Sequence, residues 1–79
     1  MDDIFTEIDD FLRTWPKPIK RGQRVFPAPT EAFRQHLREC QRLLKELRYY
    51  NRHPRYIEYK NKLEQRKSKT ERELRKRGE

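Results

Sequence analysis

One cysteine, Cys40, stands in this 79-residue chain, so no intrachain disulfide can form. A lone thiol fits a reducing compartment. Glycine occurs only twice, too seldom for the turns of a sheet protein. No apolar run approaches the roughly 20 residues of a membrane span. The acidic N-terminus has no apolar stretch of the kind a secretory signal needs. These absences point to an intracellular protein: cytoplasmic, nucleoid-associated, or carried within a viral or nucleoprotein particle. His36, Cys40 and His53 fall short of the four ligands of a closed zinc site. No serine sits in a nucleophile elbow, and no glycine-rich loop can cradle a phosphate. Neither a metal, a cofactor nor catalysis is expected.

Apolar residues are also scarce, at 32%, while charged residues make up 43%. A chain this small and polar cannot bury a large core, which predicts helices that lean on one another, on an oligomer or on a partner. The net charge is +8, and it is unevenly spread. The first 15 residues hold five acids and one base; the remaining 64 hold eight acids and twenty bases. A basic excess of this size favours nucleic acid or another polyanion as partner.

Three segments follow. Residues 1–15 contain an amphipathic acidic helix over 2–15: Ile4, Phe5, Ile8, Phe11, Leu12 and Trp15 share one face at 3.6 residues per turn. Asp2 and Asp3 suit its positive N-terminal end, and Pro16 should stop it. Residues 16–29 hold four of the five prolines, four bases and no acid, and predict an extended basic arm. Residues 30–79 read as a helical hairpin. Thr30 is the expected N-cap of its first helix, which carries the seam Phe33, Leu37, Cys40, Leu44 and Leu47 with alternating spacings of four and three. The Asn51–Pro54 break leads to a third helix over about 54–77, with Pro54 in its first turn. Beyond Leu63 the only large apolar side chain is Leu74, so a solvated basic C-terminal end is expected, held helical by pairs such as Glu58–Lys62 and Glu73–Arg77. The fold class is all-α, an antiparallel two-helix hairpin with a helix and an arm before it.

Two constellations bear on function. The first combines the arm bases Lys17, Lys20, Arg21 and Arg24 with the turn cluster Arg48, Tyr49, Arg52, Arg55, Tyr59 and Lys60. Arginine and lysine neutralise phosphates while tyrosine faces stack on bases. The structural reading of the same cluster is that tyrosines close the end of the hairpin. Tyr50 and Tyr56 are assigned inside, Tyr49 and Tyr59 outside.

The second is the first-helix stripe, Ile8, Phe11, Leu12 and Trp15, which either packs onto the seam or docks into a groove on another protein. Ile8, Phe11 and Leu12 resemble, in part, the short box that binds DNA sliding clamps. Phe5 replaces the usual glutamine of that box and Leu12 its second aromatic. Helix-turn-helix DNA recognition is disfavoured, because the turn lacks a glycine.

The expected protein is a small non-enzymatic helical one that binds DNA or RNA, such as an accessory or packaging factor of a phage or virus. The alternatives are an adaptor or inhibitor docking through the first helix onto an acidic protein, or a subunit of a larger assembly. Phe33, Leu37, Leu44 and Leu47 offer a homodimer seam, and no membrane partner is expected.

Overall fold

The computed structural model describes residues 3–78 and is mostly helical. The order is α1 (Ile4–Leu12), β1 (Ile19–Arg21), β2 (Arg24–Phe26), α2 (Thr30–Leu47), a 3-10 turn (Arg48–Tyr50) and α3 (Tyr56–Lys76). No helix among the described residues is long and apolar enough to cross a membrane.

Helix α1 starts at Asp3, whose carboxylate accepts the Phe5 N–H at 3.1 Å and the Thr6 hydroxyl at 3.2 Å. This side-chain cap satisfies a donor that has no partner inside the helix. Asp2 lies outside the described residues. The helix ends at Leu12, three residues before the expected Trp15, so Pro16 is not what stops it. The Thr14 N–H and hydroxyl both bond the Phe11 carbonyl, at 2.9 and 2.7 Å. Arg66 of α3 donates to the Leu12 and Thr14 carbonyls. Groups that another helical turn would use are thus already taken.

The stripe of α1 is core. Ile4, Ile8 and Phe11 are buried with Cys40, Leu43 and Leu47 of α2 and Tyr59 and Leu63 of α3. Burying one such aliphatic side chain is worth about 1.5–3 kcal/mol, so α1 is bound to the body by apolar contact. Charge assists at its rim. Arg42 of α2 donates to Glu7 of α1 and to Glu39 and Glu46 of its own helix, and its bond holds the Glu39 carboxyl below the usual range.

A smaller cluster joins Ala28, Phe33 and Leu74, with Trp15 and Leu37 packed against it. The seam of α2 is therefore covered within one chain: Phe33 and Leu47 are buried, while Leu37 and Leu44 are half-buried. Residues of α2 and α3 meet in reverse order. Cys40 donates to the Leu63 carbonyl at 3.1 Å, and Arg77 at the end of α3 reaches the Ala28 carbonyl at 2.7 Å.

Two expectations at the helix ends change. Pro29 occupies the cap position of α2, and Thr30 begins the helix without a side-chain cap bond. The Thr30 hydroxyl instead lies 3.5 Å from Arg77 Nη1. The C-terminal half of α3 is not simply solvated. Leu63, Thr70 and Leu74 are buried, while Arg66 and Arg77 bond backbone carbonyls of other segments. Residues 63, 66, 70, 74 and 77 keep a spacing of three and four, so they form a packed face written partly in polar residues. Thr70 is fully buried, and its hydroxyl finds the Arg66 carbonyl at 2.7 Å. Glu58–Lys62 and Glu73–Arg77 pair as expected, at 3.2 and 3.3 Å.

The largest departure is the arm, which forms a two-stranded antiparallel ribbon instead of an extended chain. Ile19 pairs with Phe26, Lys20 with Val25 and Arg21 with Arg24. A two-residue Gly22–Gln23 loop joins the strands. Gly22 has φ of 62°, and no non-glycine residue among the described ones has positive φ. One positive φ at the first loop position is the backbone of a type II′ hairpin turn.

Candidate nucleic-acid interface

The ribbon is anchored at its base and free along its length. On one side Trp15 packs edge-on to Phe33 and His36, at 5.3 Å from each, under the Lys69 ammonium at 4.3 Å. On the other, Ala28 is buried and its carbonyl is held by Arg77, whose guanidinium lies over the Phe33 ring at 4.6 Å. Between these anchors, residues 17–27 are exposed. Lys17, Lys20, Arg21 and Arg24 all lie there, with no acid anywhere from 16 to 30.

The turn cluster stands at the other end of α2. Eighteen residues of helix separate the two regions, roughly 27 Å at 1.5 Å per residue. The expected binding residues therefore divide into two patches. Arg48, Tyr49 and Arg52 are exposed, Tyr49 at 85%. Arg55 is exposed but pairs with Glu58 at 3.7 Å, and Lys60 is half-buried.

The tyrosine assignment is corrected at two positions. Tyr59 is inside, 2% exposed, and its hydroxyl donates to Asp9 of α1 at 3.1 Å. Phe5 packs edge-on at 4.9 Å, and the Arg55 and Lys62 cations lie over the ring at 5.1 and 5.3 Å. Burial, followed by the bond to Asp9, raises the Tyr59 phenol above its ordinary range. No face of this ring is left for a base. Tyr50, expected inside, is exposed, while Tyr56, also expected inside, is half-buried.

A third surface, not foreseen as binding, runs along α3 from Arg55 to Lys69. An open groove between α1 and α3 is lined by Arg13, Arg55, Lys62, Arg66 and Lys69, with Asp9 as the only acid of the lining among the described residues. Positions 55, 62, 66 and 69 recur every three, four or seven residues and so share a helix face. That spacing was visible in the sequence.

His36 sits beneath this groove. It stacks on Phe11 with ring centroids 4.4 Å apart, and its Nε2 lies 3.3 Å from Arg66 Nη1. Desolvation, then the positive charges of Arg66 and Lys69, lower its pKa to about 4. Cys40 is buried with its thiol pushed up to about 11 by desolvation, which makes it an inert core group. The docking residues are accounted for too: Ile8 and Phe11 are buried inside the chain, and Leu12 and Trp15 are half-buried.

No protein-family model, curated protein or solved structure matches this chain.

Proposed function

We propose that this chain is a small non-enzymatic protein that binds nucleic acid, serving as an accessory or packaging factor of a phage, virus or other nucleoprotein complex. Its scaffold is the antiparallel hairpin of α2 and α3, clasped by α1. The reverse-order contacts Cys40–Leu63 and Ala28–Arg77 support that scaffold.

One observation carries the functional reading. The exposed bases Lys17, Lys20, Arg21 and Arg24 form no ion pair with any described residue, and no acid lies near them in sequence. Elsewhere, bases such as Arg42 and Arg77 are engaged by acids or carbonyls of the chain itself. Unpaired cations on an anchored projection can neutralise phosphates without first breaking internal contacts. The aromatic–basic patch at Arg48, Tyr49 and Arg52 adds a stacking face.

Titration of labelled DNA and RNA, single- and double-stranded, at about 50 mM salt tests the reading. Binding of at least one of them is expected; binding of none contradicts it. The adaptor reading has less support, because Ile8 and Phe11 would have to leave the core before docking elsewhere.

A further inference from the structure

The ribbon also points to a class of nucleic acid. We propose that β1–β2 enters the major groove of double-stranded DNA, presenting Arg21 and Arg24 to base edges and Lys17 and Lys20 to the flanking phosphates. This rests on the nucleic-acid reading above and narrows it.

The dimensions favour this groove. Paired strands lie about 4.8 Å apart before their side chains are counted. With side chains added on both faces, the ribbon overfills the roughly 6 Å minor groove of B-form DNA and fits the roughly 12 Å major groove. The corresponding groove of duplex RNA is deep and too narrow for side chains to read. Each strand has three residues, a reach of about 10 Å at 3.4 Å per residue. The major groove is about 8.5 Å deep, so the tip can reach its floor.

The chemistry agrees. The register places Arg21, Arg24, Ile19 and Phe26 on one face and Lys20 and Val25 on the other. A guanidinium can bond guanine O6 and N7 together, and apolar side chains meet the thymine methyl. Ile19 and Phe26 stand opposite one another on that face and are exposed at 42% and 44%. Arg21 and Arg24 stand directly opposite one another. Like charges so placed destabilise a free ribbon, and a polyanion around the tip relieves that repulsion. Anchoring at Trp15 and Ala28 tethers both ends of the arm before binding, which limits the ordering cost.

The test compares three short probes by fluorescence anisotropy: duplex DNA, its single strand, and duplex RNA of the same sequence. Duplex DNA is expected to bind about 10-fold more tightly than either other probe. Gly22→Val keeps every cation but strains the turn, where φ is 62°; no atom lies within 4 Å of the added Cβ, so the helical body stays folded. It should weaken duplex binding about 10-fold, and Arg21→Gln with Arg24→Gln about 10- to 100-fold. Equal binding to all three probes, a preference for single strands or RNA, or full affinity in Gly22→Val overturns the ribbon placement and leaves general nucleic-acid binding standing. Failure to bind any probe removes both. A dimer in sedimentation that Gly22→Val dissociates assigns the ribbon edges to a second copy and likewise overturns the proposal.

Discussion

Arg66 of α3 and His36 of α2 stand 3.3 Å apart, guanidinium Nη1 to imidazole Nε2. Arginine only donates, so Nε2 is the acceptor and the ring proton sits on Nδ1. The same guanidinium donates to the Leu12 and Thr14 carbonyls. One side chain from the basic C-terminal half thereby closes α1 and holds a neutral histidine in the core.

Replacing Arg66 tests this triple role. Arg66→Ala removes the part-buried contacts to the Leu12 carbonyl and to His36 and the exposed one to Thr14, at a cost of about 1–3 kcal/mol. Arg66→Lys recovers little, because an ammonium cannot span acceptors fixed for a planar fork. Urea unfolding of the three proteins should show both variants shifted to lower midpoints, with the alanine and lysine forms close together.

Acidification should weaken the fold through His36. Its folded pKa of about 4 lies below the ordinary 6.5, so between those values the unfolded chain binds more protons. Stability therefore rises with pH across this window: it is complete above about pH 6.5 and is lost as pH falls toward 4, by up to about 3 kcal/mol. Below pH 4 this group adds no further loss. Thermal melts should show the slope in the wild type and a shallower one in His36→Gln, where the Glu39 carboxylate still contributes at the acid end. In Arg66→Ala the imidazole should titrate closer to 6.5, as followed by NMR of its ring protons.

Ile8 and Phe11 decide between core and docking surface. Both are buried against α2 and α3, so Ile8→Ala and Phe11→Ala should each cost about 2–5 kcal/mol of stability. Removing residues 1–15 should leave a chain without cooperative unfolding. If instead these variants melt like the wild type, α1 is not part of the core.

The tyrosines should separate stability from binding. Tyr59→Phe removes only the hydroxyl bond to Asp9; about 1 kcal/mol of stability should go, with nucleic-acid affinity unchanged. Tyr49→Ala, at a side chain 85% exposed, should leave the melting curve alone. Where it stacks on a base it should weaken single-strand binding by about 1–3 kcal/mol. Paired melts and titrations distinguish the two.

Much of the scaffold was legible because its apolar residues repeat at helical spacing. The α1 stripe is helical as far as Leu12, the α2 seam is buried at Phe33, Cys40 and Leu47 and half-buried at Leu37 and Leu44, and the Asn51–Pro54 break precedes α3, which begins at Tyr56 with Pro54 outside its first turn. Two features escaped for different reasons. The packed face of α3 uses Arg66, Thr70 and Arg77, whose burial depends on carbonyls contributed by distant segments; composition registers only their polarity. The ribbon was hidden by the surrounding prolines and by the charges at Lys20, Arg21 and Arg24, although a glycine at the first position of a two-residue loop, as in Gly22–Gln23, suits a II′ turn. Among the site residues, the arm bases were readable as unpaired because no acid lies nearby in sequence. Tyr59 was misplaced because Asp9, which claims its hydroxyl, is fifty positions away.

The claim that the ribbon bases meet phosphate is tested most directly by the salt dependence of DNA binding. The logarithm of the binding constant should fall linearly with that of salt concentration between about 50 and 200 mM, and Lys17→Ala with Lys20→Ala should reduce the slope by about 2. An unchanged slope in that double variant, or no binding at the lower salt, contradicts the account.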